Sequence, residues 1–125
     1  MTRFLFVSAA IGGFLSVCLG AFAAHGLKSH LDAYQLSIWQ TGVQYQMYHS
    51  LALLMVALLY LHKPSKSLKL AGLAFILGAL LFSGSLYALA LGAPRWLGAV
   101  TPLGGLGFLL GWLALFVAAK NLAER

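Results

Sequence analysis

The chain has 125 residues, 62% of them hydrophobic and only 8% charged, against about 25% charged in an average soluble domain. Eight basic and two acidic side chains are too few to cover a soluble body of this size, which excludes an ordinary soluble enzyme, a disordered chain and, despite the net charge of +6, a nucleic-acid binder. The two carboxylates, Asp32 and Glu124, offer almost nothing to paired-acid catalysis or a calcium or magnesium cage, and one cysteine, Cys18, excludes an internal disulfide or a multi-thiolate zinc site.

A bilayer crossing takes ~20 apolar residues, and the chain is predicted to be an all-α, integral membrane four-helix bundle in one domain, 1–125, with spans at about 4–24, 42–61, 70–91 and 100–119. The first, third and fourth spans contain no charge. The second is weaker: Leu51–Leu61 is wholly apolar but covers only ~16 Å at 1.5 Å per residue, so the Gln- and Tyr-rich Val43–Ser50 has to enter as well. Residues 62–69 form a basic connection broken by Pro64, and residues 92–99 a tight turn punctuated by Gly92 and Pro94. Thr101-Pro102 reads as the cap and first position of the fourth span.

Between the first two spans, residues 25–41 predict a short amphipathic helix. Ser29 and Asp32 are spaced as a capping box, and Leu27, Leu31, Tyr34 and Ile38 fall on one face with Trp39 beside it. That face seats either in the bilayer interface or over the mouth of the bundle, and the helix runs into the second span with Gly42 as a bend.

With an even number of spans, Arg3, Lys63, Lys66, Lys69, Lys120 and Arg125 share one side and only Lys28 and Arg95 the other. The positive-inside rule then puts both termini in the cytoplasm of an inner-membrane protein in contact with anionic lipid. Ala21-Phe22-Ala23 resembles a signal cleavage site, but the preceding apolar stretch is too long for a signal, so the first span is expected to be retained.

Small residues recur at packing distance. Ser8, Gly12, Ser16, Gly20 and Ala24 line the first span, Gly84, Ala88 and Gly92 the third, and Gly104, Gly107, Gly111, Ala114 and Ala118 the fourth. Such stripes let backbones approach closely in lipid, within one chain or between copies.

Polar side chains at membrane depth need partners or water. Tyr45 and His49 share a face, as do Gln40, Gln44 and Tyr48. Matched depths predict a cluster in which His49 bonds Ser16, Ser83 or Ser85, with Gln44 and Tyr45 above it, Gln46 in the same run and Tyr87 nearer the mouth. Such a cluster either fixes helix register or lets His49 relay protons. His25 and His30 are poorly spaced for a metal with Asp32, and His62 reads as a solvated loop residue; Cys18 reads as core, Trp96 as an interface anchor and Trp112 as packed between helices.

The segments GAFAAHGL (20–27), WQTGVQYQMYHSLALL (39–54), LFSGSLYALAL (81–91) and LGAVTPLGGLGFLLGW (97–112) together resemble a family of small bacterial inner-membrane proteins, domain of unknown function 423, similar also to the eukaryotic transmembrane protein 256. The resemblance covers essentially the whole chain. It implies a four-helix membrane protein with an uncleaved first span and no established activity, and it places the family pattern on Gly20, His25, Gly26, Gln40, Tyr45, Gln46, His49, Ser83, Gly84, Tyr87, Pro102 and Gly104.

The leading expectation is a non-enzymatic accessory or structural protein, without cofactor or metal, whose partners are membrane lipids and a second protein or a further copy of itself. The alternative is an oligomeric small channel or transporter around His49. An enzyme acting on lipid or quinone through His25, His49 or Tyr45 ranks last.

Overall fold

The computed structural model describes residues 1–123; Glu124 and Arg125, assigned above to the tail, lie outside them. Four α-helices carry the chain: α1 (Thr2–His25), α2 (Ala33–His62), α3 (Lys66–Ala90) and α4 (Val100–Ala123), with 3-10 turns at Leu27–Ser29 and Arg95–Ala99. Helices α1 and α3, and the segment Arg95–Leu122 that contains most of α4, are each long and apolar enough to cross a membrane. Helix α2 has 30 residues and so runs for about 45 Å, well beyond a ~30 Å hydrocarbon layer.

Local chemistry sets the helix ends. Asp32 is extended (φ −75°, ψ 177°), its carboxylate accepts from the Gln35 backbone N–H at 2.7 Å, and the Gln35 side-chain Oε1 accepts from the Asp32 N–H at 3.0 Å. The capping box is therefore Asp32–Gln35, not Ser29–Asp32. Ser29 closes a 3-10 turn held down by the buried Leu27, and its hydroxyl lies 3.0 Å from Nδ1 of His30. No separate amphipathic helix results: the segment from Ala33 onward is the first part of α2, which continues unbroken through Gly42. Of the expected stripe, Leu27 is buried while Tyr34 is 72% exposed.

Helix α2 ends at Lys63, whose extended backbone suits the residue before Pro64, and Ser65 caps α3 by accepting from the Leu68 N–H at 3.1 Å. Helix α3 closes in a Schellman motif. Gly92 takes a left-handed φ of 99°, its N–H donates to Leu89 O at 3.1 Å, and the Ala93 N–H donates to Ala88 O at 3.0 Å. Thr101 does not cap α4: the turn Arg95–Ala99 feeds directly into Val100, leaving Thr101 inside the helix.

Extensive backbone packing joins consecutive helices, α1 to α2, α2 to α3 and α3 to α4. The α3–α4 seam is the tightest. A Cβ on Gly104 would fall on the Phe82 backbone, one on Gly107 would sit 3.1 Å from the Gly78 Cα, and one on Gly111 would meet the Phe75 ring at 2.5 Å. The helices meet there as backbone on backbone, the arrangement small residues allow in lipid. One apolar core, around Leu5, Val56, Leu68 and Phe75, lies toward the α1 N-terminus; a second, around Ala23, Leu27, Trp39 and Ala90, lies at the other end. Outside these cores the helices present Phe14, Val17, Leu51, Leu80, Leu109 and Phe116, all exposed. Cys18 is exposed among them rather than buried, because the inward side of α1 is taken by Leu5, Ala9, Ser16 and Ala23.

Candidate functional site

Between the two cores the inward face of α2 carries Trp39, Gly42, Gln46, His49 and Ser50, a helical stripe at three- and four-residue steps. Trp39 is 3% exposed and its indole N–H donates to Leu19 O on α1 at 3.0 Å. Its ring lies 4.8 Å from that of Tyr87, and Tyr87 in turn fills the space over Gly42, where a Cβ would meet its ring at 2.8 Å.

Gln46 ties three helices together. Its amide N–H donates to Gly12 O of α1 at 2.8 Å, and its carbonyl oxygen accepts from the Tyr87 hydroxyl of α3 at 2.7 Å. The same Gly12 carbonyl accepts from Ser16 at 2.8 Å, while Ser83 donates across to Gly42 O at 2.7 Å. Gly12 is small because Ser50 faces it: a Cβ there would collide with the Ser50 hydroxyl.

His49 occupies a neighbouring aromatic box. The imidazole is stacked 3.5 Å from the Phe108 ring at 9°, with Phe75 at 5.4 Å and Trp112 at 5.9 Å edge-on and Tyr45 at 6.2 Å. Nδ1 lies 2.7 Å from Tyr45 O, and the indole N–H of Trp112 donates to Nε2 at 3.1 Å. A carbonyl oxygen only accepts and an indole N–H only donates, so Nδ1 carries the proton and Nε2 presents its lone pair.

The expected bonds from His49 to serines do not form. Ser16 and Ser83 each satisfy a backbone carbonyl, and Ser85 pairs with Thr101 at 2.5 Å and with Phe82 O at 2.9 Å. Gln40 and Gln44 are exposed on the outside of α2, and Tyr48 with them, so they leave the cluster; Tyr45 is half-exposed and contributes its carbonyl and ring. The structure thus brings together Gln46, Tyr87, Ser16 and Ser83 through Gly12 and Gly42, sets His49 beside them, and keeps Ser85 at the α3–α4 seam. Phe75, Phe108 and Trp112 complete the box, a set no spacing within α2 could have found. Gly20 packs on Val43 at 3.3 Å from its would-be Cβ, whereas Gly84 meets nothing within 4 Å. No group of three or more His, Cys, Asp or Glu able to hold a metal occurs among the described residues.

Gly84 stays free because it borders a cleft of about 440 Å³ between α1, α2 and α3. Ile11, Gly12 and Leu15 form one wall, Ile76, Ala79, Leu80 and Gly84 the other, and Gln46, His49, Ser50 and Leu53 the floor. The surroundings are overwhelmingly apolar.

Residues 19–105 match the family described as "Protein of unknown function (DUF423)". The chain is 50% identical to a UPF0382 membrane protein of Haemophilus influenzae over 106 residues, 85% of each chain. It is 48% identical to the UPF0382 membrane protein YwdK of Bacillus subtilis, covering 88% of this chain and 90% of that one. It is 42% identical to the UPF0382 inner membrane protein YgdD of Escherichia coli K12, covering 99% and 95%. The chain belongs to the DUF423 family. The DUF423 match contains Trp39, Gly42, Gln46, His49, Ser83 and Tyr87, and lies between Gly12 on one side and Phe108 and Trp112 on the other. No solved structure matches the chain.

Proposed function

We propose that this chain is a four-span inner-membrane protein with both termini in the cytoplasm, acting as a non-catalytic accessory protein that binds its partner within the membrane. The observation that carries the reading is the use made of the polar groups on the inward faces of the helices. Gln46, Tyr87, Ser83, His49 and Trp112 all bond across from one helix to another, a use that fixes register and leaves His49 held rather than poised to exchange a proton. The names of the relatives, membrane and inner-membrane proteins, support the location.

Helix α2 completes the set of four as the second span. Its exposed Gln40 sits in the part of its 45 Å that overhangs the hydrocarbon and Gln44 lies at the outer edge of the span, while Gln46 and His49 below them are internally partnered. Six basic residues on the side of the termini against two on the other support the orientation.

Purification in a mild detergent followed by cross-linking tests the role: a fixed membrane partner at constant stoichiometry is expected, with no ion or solute flux from liposomes holding the protein alone. Flux that disappears on Trp112→Phe would overturn it in favour of a channel. A reporter fused to the C-terminus is expected to be active only in its cytoplasmic form; periplasmic activity overturns the orientation.

A further inference from the structure

The cleft between α1 and α3 has a form that packing alone does not require. The two helices meet at one end, where Leu5 reaches Gly72 at 2.6 Å from its would-be Cβ, and again at the other through the second core of Leu19, Ala23, Trp39 and Tyr87. Between these closures they part, and α2 forms the floor of the opening. Ile76 to Gly84, the α3 wall, rises about 12 Å, through the middle of the proposed bilayer.

We infer that this cleft is a binding site for one acyl chain of an anionic phospholipid, drawn from the leaflet at the α3 N-terminus. The inference rests on the four-span reading above. Four considerations select the occupant.

Size comes first. A helix is ~10–12 Å across with its side chains, so a 12 Å length of it needs roughly 900 Å³ or more, about twice the 440 Å³ present; a single hydrocarbon chain is narrow enough. Chemistry is the second. The larger polar side chains on the floor already face protein: Gln46 holds Gly12 and Tyr87, and His49 holds Tyr45 O and Trp112, which leaves the single hydroxyl of Ser50, set against Gly12. A polar headgroup such as a quinone ring would find one hydroxyl and no free amide, imidazole or phenol on the floor, whereas an alkyl chain asks for none.

Access is the third, since the cleft opens sideways, toward lipid. Charge is the fourth. Lys69 lies seven and eleven residues before Ile76 and Leu80, which places it on the same face of α3 as the cleft, exposed and about 10 Å below Ile76. An ammonium there, snorkelling to the interface, meets the phosphate of a lipid whose tail enters above it.

The test reconstitutes the full chain in nanodiscs of phosphatidylethanolamine and phosphatidylglycerol in equal parts, the latter carrying a diazirine on one acyl chain. Photolysis is expected to label Ile11–Leu15 and Ile76–Gly84 at least tenfold more than the lipid-exposed Leu109–Leu113. Gly84→Leu, which fills the cleft from a position with free space around it, is expected to remove that excess while thermal stability holds. Lys69→Gln is expected to lower labelling by phosphatidylglycerol severalfold and leave labelling by a matched phosphatidylcholine probe unchanged. Equal labelling on all helix faces, or unchanged labelling in a stable Gly84→Leu protein, overturns the inference while the span reading stands. Cross-links to a second copy at Gly84 would likewise overturn it, in favour of a dimer. Failure of the protein to incorporate into nanodiscs would overturn the span reading itself and the inference with it.

Discussion

The indole N–H of Trp112 donates to Nε2 of His49 at 3.1 Å, joining α4 to α2. With Tyr45 O at 2.7 Å from Nδ1, the bond leaves the imidazole one arrangement of its proton and one ring orientation, flat on Phe108. It is also the polar link between the last helix and the second, beside the stack of Phe108 on His49, while the α4 backbone packs along α3.

Trp112→Phe keeps an aromatic ring in place and removes only the donor. Nitrogen NMR of histidine-labelled protein is expected to show His49 as the Nδ1–H tautomer in the native chain and a mixture of tautomers in the variant. The loss in stability is expected at about 1 kcal/mol, in line with interhelical bonds in membranes, read from denaturation in mixed detergent micelles. A native chain with the Nε2–H tautomer would contradict the assignment.

Gln46 and Tyr87 are the second test of internal use. Gln46→Leu abandons the Gly12 carbonyl and the Tyr87 hydroxyl together, and Tyr87→Phe abandons only the latter. The single variants are each expected to destabilise the protein by ~0.6–2 kcal/mol, and the double-mutant cycle to return a coupling of about 1 kcal/mol. Additive effects would mean that the 2.7 Å bond does not hold in the membrane.

How far these contacts could be read beforehand differs by element. The uncharged runs of α1, α3 and α4 announce themselves because any helix crossing lipid must be apolar along most of its length. Helix α2 hides its start because two overlapping patterns, Ser29–Asp32 and Asp32–Gln35, both fit a capping box; backbone geometry at Asp32 decides for the second. In the polar run, spacing groups Gln44 with Gln40 and Tyr45 with His49, but periodicity cannot say which face turns inward. Trp39 and Gly42 carry that signal, a large ring beside a gap for Tyr87, and they point to Gln46, two residues and about 200° from Gln44. Depth matching offers serines as partners for His49 but ignores their readiness to bond the nearest carbonyl, as Ser16 does with Gly12. The Trp112 bond depends on how α4 crosses α2, which no local pattern encodes.

The glycines separate into two classes with opposite expectations. Gly104→Ala places a methyl on the Phe82 backbone and is expected to destabilise the protein by ~1–3 kcal/mol, the range for overpacking. Gly84→Ala and Gly105→Ala enter open space within a helix and are expected to be neutral or stabilising by up to about 1 kcal/mol. Equal sensitivity at Gly104 and Gly84 would place a second helix over the cleft, which thermal unfolding of the three variants side by side can detect.

Cys18 provides a test of the membrane placement from a native labelling site. It is the chain's single cysteine, exposed on α1 and set among Phe14, Val17 and Phe22. Counted along Thr2–His25 it lies four to five residues past the helix centre, about 7 Å from the proposed midplane toward the outer face. A nitroxide attached there in proteoliposomes is expected to collide freely with oxygen, which concentrates in hydrocarbon, and hardly at all with a water-soluble nickel chelate. A control nitroxide on Gly92→Cys in a Cys18→Ser chain, in the turn after α3, is expected to show the reverse. Nickel collision at Cys18 as frequent as at Gly92 would mean that this face of α1 meets water, and the four-span arrangement, with the lateral cleft that depends on it, would have to be abandoned.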